Sequence, residues 1–164
     1  MILGIISDTH DHRLHILKAI EIFNQHQVDL ILHAGDLISP FVAKEFLKAK
    51  AEKFIAVFGN NDGEKLHLKT VTEEGGGEIH EYCYKTTLQN KHIYMTHTQH
   101  NIEDIAASGA YDLVIYGHTH IQDIRKAGHT LILNPGEATD WITGKSYLVI
   151  LTLDNMDYEI IPLN

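Results

Sequence analysis

Apolar residues occur along this chain in short runs that end on polar ones. Residues 2 to 7 (ILGIIS) form a continuous apolar run of strand length, and apolar positions at 16, 17, 20 and 23 then follow a helical period. VDLILHAGD (28 to 36) repeats the strand signal. Ser39 as N-cap and Pro40 as first helical residue then open a helix carrying Phe41, Val42, Phe46 and Leu47. KFIAVFGNND (53 to 62) is a third strand running into a polar loop. Three such units in a row predict parallel strands with helices on their faces.

The second half reads differently. From Glu78 come short alternating strands, with a hairpin around Gln89-Asn90-Lys91, a strand ending at Met95, a helix near 101 to 109, and DLVIYGH. A turn at Ala127-Gly128, TLILNPG, and SYLVILTL paired with DYEIIPL around Asp154-Asn155 complete the pattern. Runs such as LVIY and LVILTL predict strands buried on both faces, enough for two packed sheets. EEGGGE (73 to 78) is too short for a domain boundary and reads as a loop, so residues 1–164 are expected to form a single domain. His33, inside a strand, is expected to be a hydrogen-bonded core histidine, and Tyr82, Tyr84, Tyr94 and Tyr116 to pack on the sheets.

Composition and the absence of long apolar stretches change this picture in four ways. A formal net charge of −9 with no basic cluster opposes nucleic-acid backbones and anionic membrane surfaces, so no stable nucleic-acid binding is expected. No stretch approaches a membrane span, and the N-terminal run lacks a basic leader, so the expected location is cytoplasmic. The lone Cys83 agrees with a reducing compartment and is expected to fill core space. Thirteen histidines among 164 residues are unusual, and imidazole is the side chain best suited to metal binding near neutral pH.

The placement of polar residues is more telling than their number. IISDTH ends on Asp8 and His10, LHAGD on Asp36, VFGNND on Asn60 and Asp62, YMTH on His97, and YGHTH on His118 and His120. Ligands gather beyond the carboxyl ends of strands in open α/β sheets, so these residues are expected to converge. Nitrogen and oxygen donors without a thiolate favour two divalent borderline ions, Mn, Fe, Co, Ni or Zn, and a carboxylate can bridge the pair. Glycines before Asp36, Asn60 and His118 free the backbone to turn and leave room for a substrate.

DTH (8 to 10), GD (35 to 36), GNND (59 to 62), the strand-end His97 and GHTH (117 to 120) together resemble the motif series of the calcineurin-like metallophosphoesterases, in order and over essentially the whole chain. The short length and the GNxD motif are similar to the small YfcE/MJ0936-type phosphodiesterase subgroup. The resemblance implies an αββα four-layer sandwich with two mixed sheets flanked by helices. It implies that Asp8, His10 and His120 bind one metal, that Asn60, His97 and His118 bind the other, and that Asp36 bridges them. It further implies manganese first among the candidate ions, and hydrolysis of a small phosphate ester by a hydroxide held between the metals. Members of the subgroup are often dimers or tetramers, and exposed edge strands near 78 to 96 are expected to support a homo-oligomer.

The chain departs from the family pattern at three positions, Asn61, Thr98 and Glu137. Asn61 stands where many members carry a proton-donating histidine; an amide cannot act as a general acid, so diesters and acidic leaving groups are favoured over alkyl monoesters. Asp62 is then expected to orient the loop. Thr98 replaces a glycine beside His97, and His100 is a candidate substitute acid. His12 is a candidate substrate contact, and Glu137 in NPGE is expected to place a carboxylate beside the anion site. The rival readings are a catalytically weak protein-binding scaffold on the same fold, a phosphomonoesterase, and a metal-dependent hydrolase of another bond.

Overall fold

In the computed structural model, which describes residues 1–164, the chain alternates strand and helix first and turns to strands later. The order is β1 (Ile2–Ile6), α1 (Arg13–Gln25), β2 (Leu30–His33), α2 (Pro40–Phe46), β3 (Lys53–Val57), α3 (Lys65–Glu74) and β4 (Glu78–His80). Then follow β5 (Cys83–Leu88), β6 (Lys91–Thr96), α4 (Ile102–Ala107), β7 (Leu113–Ile115), β8 (Asp123–Ala127), β9 (Thr130–Asn134), β10 (Tyr147–Thr152) and β11 (Asp157–Pro162).

These strands form a six-stranded sheet in the order β11-β10-β1-β2-β3-β4 and a five-stranded sheet in the order β5-β6-β7-β9-β8. Both are mixed. β1 to β4 run parallel in the first and β6, β7 and β9 in the second, while hairpin partners are antiparallel. Alternate residues of each strand serve different layers, as the two-residue period of a strand requires. Ile31 and Phe54 meet Ile16, Phe23, Phe46 and Leu68 of the first three helices. Leu30, Leu32 and Ile55 face the opposite way, against Ile93, Met95, Leu113 and Leu133 of the second sheet. Val114 and Ile132 cover α4 through Ile102 and Ala106. The layers are therefore helix, sheet, sheet, helix, the αββα arrangement expected.

Local chemistry explains the joints. Gln89 and Asn90 both adopt positive φ (47° and 61°), which closes a two-residue hairpin between Leu88 and Lys91. Gly4 on β1 leaves room for the Phe23 ring, which a Cβ there would meet at 2.6 Å.

Several local expectations need correction. His12, a candidate substrate contact, is the cap of α1, which begins at Arg13. Ser39 is the N-cap of α2 as expected, but its hydroxyl donates to Asp11 rather than capping the helix through its side chain. Glu73 and Glu74 belong to α3 and Glu78 opens β4, so the loop is only Gly75 to Gly77. Cys83 is half-buried at the start of the edge strand β5, not core filler. Tyr82 is 75% exposed and packs on neither sheet. Within 78 to 96, β4 and β5 are edges while β6 is an inner strand. No helix is long and apolar enough to cross a membrane.

Candidate active site

The parallel strands of both sheets deliver polar residues to one rim of the sandwich. Asp8 and His10 follow β1, Asp36 follows β2 and Asn60 follows β3; His97 follows β6, and His118 and His120 follow β7. Backbone bonds lace these loops together: Asp8 and His10 donate to Gly35 and Asp36 (3.0 Å each), and Gly117 donates to His97 (2.9 Å). Asp8, His10, Asp36, His118 and His120 all hold positive φ, between 39° and 67°. Non-glycine residues adopt this conformation rarely, and such strain collects where the surroundings fix a functional geometry.

Two groups of donor atoms result, each with its ligand atoms within 4.8 Å of one another: Asp8, His10 and His120, and Asp8, Asp36 and His97. Asn60 Oδ1 joins the second group, 2.9 Å from His97 Nε2 and 2.8 Å from His118 Nδ1. Asp36 Oδ2 stands between the groups, 3.5 Å from His10 Nε2 and 3.5 Å from His97 Nε2.

The surroundings fix which histidine nitrogens offer lone pairs. Ala34 carbonyl accepts from His97 Nδ1 at 2.8 Å, so in the neutral ring Nε2 faces the site unprotonated. Glu137 accepts from His120 Nδ1 at 3.0 Å, with the same effect on His120 Nε2. Asp8 Oδ2 is occupied by the Ser7 hydroxyl and the His118 N–H, but Asp8 Oδ1 and His10 Nε2 are buried without any partner. Burial pushes the Asp8 carboxyl up against the pull of Ser7, His97 and His120. With His10 Nε2 unprotonated, it and the buried Asp8 oxygen are two unpartnered acceptors that a cation between them satisfies, so the residues fit divalent metal ions.

The surrounding residues behave differently from one another. Asp62 is buried and accepts backbone N–H groups from Gly59 (2.6 Å), Ile38 (2.7 Å) and Asp36 (3.2 Å), which holds the β2 and β3 loops together. Asn61 donates through its backbone and its side chain to the two oxygens of Asp36, both at 2.8 Å. His12 caps α1 and stacks beside His15, with ring centroids 3.9 Å apart. His100 is exposed and bonds none of the site residues. His33 accepts from Gly35 N–H on Nδ1, so its Nε2 hydrogen goes to Thr9 Oγ1 (3.0 Å).

Three features were not visible as such in the sequence. Glu137 does not face an anion site; it is buried, holding His120 on one side and the Ile142 and Thr143 N–H groups on the other. Burial pushes its carboxyl up, but hydrogen bonds from Thr139, Thr143 and His120 outweigh that and bring it down to about 2. Trp141, on the turn that Glu137 holds, stands 6.3 Å from the His10 ring and 5.7 Å from the His12 ring. The three glycines serve neighbouring ligands: only Gly35 among them has positive φ (101°). A Cβ at Gly117 would lie 2.7 Å from Asp8 Oδ2, at Gly59 2.7 Å from Asp36 Cγ, and at Gly35 2.5 Å from His97 Nδ1. An acid just past the apolar strand β9, followed by a turn with Thr139 and Thr143, was the available signal for Glu137.

The family model described as calcineurin-like phosphoesterase superfamily domain matches residues 1–156. Phosphodiesterase MJ0936 of Methanocaldococcus jannaschii is 40% identical over 166 residues, covering 99% of this chain and 99% of that protein. Phosphodiesterase YfcE of Escherichia coli K12 is 26% identical over 177 residues, covering 96% of this chain and 90% of its own. A solved structure described as a novel archaeal phosphodiesterase superposes with a TM-score of 0.93 at 39% identity, over 99% of each chain. The chain belongs to the calcineurin-like phosphoesterase superfamily and is a phosphoesterase enzyme.

Proposed function

We propose that residues 1–164 form one metallophosphoesterase domain that hydrolyses small phosphate diesters with two divalent ions, manganese first among Mn, Ni, Co, Fe and Zn. The carrying observation is the position of Asp36 Oδ2, 3.5 Å from a histidine nitrogen of each donor group. Asp8, His10 and His120 would hold one ion, Asn60, His97 and His118 the other, with Asp36 shared. When bound, such a pair acidifies water and withdraws charge from phosphoryl oxygens.

The chain's own residues supply the rest. Glu137 and the Ala34 carbonyl keep His120 and His97 in the ligating tautomer. Asn61 pins the shared carboxylate and has no proton to give a departing alkoxide. An absent proton donor costs about 10²–10⁴ in rate for a poor leaving group, which favours substrates whose leaving group is already acidic. His100, exposed and unbonded to the site, is the nearest candidate for a mobile acid, and His12 for a substrate contact.

The test is hydrolysis of bis-p-nitrophenyl phosphate and p-nitrophenyl phosphate by metal-stripped protein, before and after manganese is added. Metal-dependent cleavage that favours the diester is expected. Preference for the monoester would overturn the diesterase reading, and two bound ions with no turnover of either would leave a scaffold on this fold.

A further inference from the structure

Trp141 is the only tryptophan of the chain and is 63% exposed, beside the ligand-rich rim, with Ile142 next to it in sequence and Ile121 next to His120 also exposed. Water around a tryptophan face is costly to maintain, and a large aromatic left open beside a reactive centre has contact area to offer a ligand. Its position is fixed. The Trp141 N–H donates to Thr139 Oγ1, Gly144 N–H closes the turn onto Asp140 carbonyl at 3.0 Å, and Glu137 accepts from the two residues that follow Trp141. His15 also pins the segment, through Nδ1 on the Ala138 carbonyl at 2.8 Å. The Trp141 ring is tilted 40° to His10 and 59° to His12, leaving its outer face open.

We infer that Trp141 is a stacking platform that determines specificity, selecting phosphate diesters in which one ester group is a planar aryl or heteroaryl-bearing moiety. The same Glu137 carboxylate fixes both His120 and the Trp141 turn, so the backbone that carries the ring is tied to a residue of the donor group. Residues that act on the phosphate and a residue that reads its substituent are thus tied to one anchor. The inference deepens the phosphodiesterase reading and rests on it for the word diester, but the stacking itself can be measured without turnover.

The experiment compares phenyl phosphate with methyl phosphate as ligands of the zinc-loaded protein by calorimetry, with the emission of the single tryptophan followed in parallel. Phenyl phosphate is expected to bind about fivefold more tightly than methyl phosphate and to perturb the emission saturably. Trp141→Ala should erase that preference and Trp141→Phe should keep most of it. With manganese, Trp141→Ala should raise KM for bis-p-nitrophenyl phosphate by a similar factor. Equal affinities in the unaltered protein, or a Trp141→Ala variant that weakens both ligands equally, would overturn the inference and point to a surface for a protein partner. Failure of the unaltered, metal-loaded protein to cleave the diester would sink the activity reading while leaving the binding comparison decisive for Trp141.

Discussion

His120 gives its Nδ1 hydrogen to Glu137 Oε2 at 3.0 Å while its Nε2 points at Asp8 Oδ1 across 3.5 Å. The carboxylate thereby sets both the tautomer and the direction of a ligand, the role outer partners play in metal sites. Glu137→Gln keeps the shape and removes the charge. Calorimetric metal titration should show affinity at the His120 group reduced about 10–100-fold, with the second group less affected. Undiminished affinity would mean that the pairing is idle.

Asp36 Oδ2 lies 3.5 Å from a histidine nitrogen of each donor group, His10 on one side and His97 on the other. Asp36→Asn should abolish turnover and weaken both ions, whereas His120→Ala should lose one ion and turnover together. Bound-metal stoichiometry by elemental analysis separates the two outcomes, and full activity in either variant would contradict the ligand assignment.

His33 is held neutral at about 3 against an ordinary 6.5, by burial first and then by His97 and His10 nearby. The unfolded chain takes up a proton there below pH 6.5 that the folded chain refuses. Stability from the neutral ring is therefore complete above pH 6.5 and falls by about 1.4 kcal/mol per pH unit as the pH drops toward 3. Thermal unfolding of metal-free protein across this range should show the slope, and His33→Gln should flatten it by about one proton's worth. An unchanged slope would assign acid sensitivity elsewhere.

Asp62 accepts three backbone N–H groups from two loops. Hydrogen bonds to a charged group are worth about 1.5–3 kcal/mol each, so losing all three in Asp62→Ala should lower Tm by about 10–35 °C and loosen Asp36 and Asn60 together. Asp62→Asn is expected to be no rescue, because one face of the amide would oppose N–H with N–H. A variant of native Tm and metal affinity would show that the loops hold themselves.

Gly117→Ala would place a Cβ against the Ser7 hydroxyl and 2.7 Å from Asp8 Oδ2. The far-ultraviolet circular dichroism should stay native while metal binding at the Asp8, His10 and His120 group is lost. Retained binding would show that the β7 loop can retreat.

The donor residues were legible because each ends an apolar run on a polar group, a pattern that only convergence at the strand ends makes useful. The layer order was legible for a related reason: strands buried on both faces demand cover on both. α3 was harder to place, since KLHLKTVTEE buries only Leu68, Val71 and Thr72 and leaves Leu66 in water. Glu137 was misplaced because nothing local says that five donors will surround an acid after a glycine. The role of Gly59 and Gly117 lies in space between loops distant in sequence, which periodicity does not encode.

Asp8, Asp36 and Asn60 hang from the six-stranded sheet, while His97, His118 and His120 hang from the five-stranded one. Ions seated among them would be rivets driven through both sheets at a single rim, closing chain loops that stretch from residue 8 to residue 120. Stripping the metal would thus unfasten one end of the sandwich while its apolar middle stays shut.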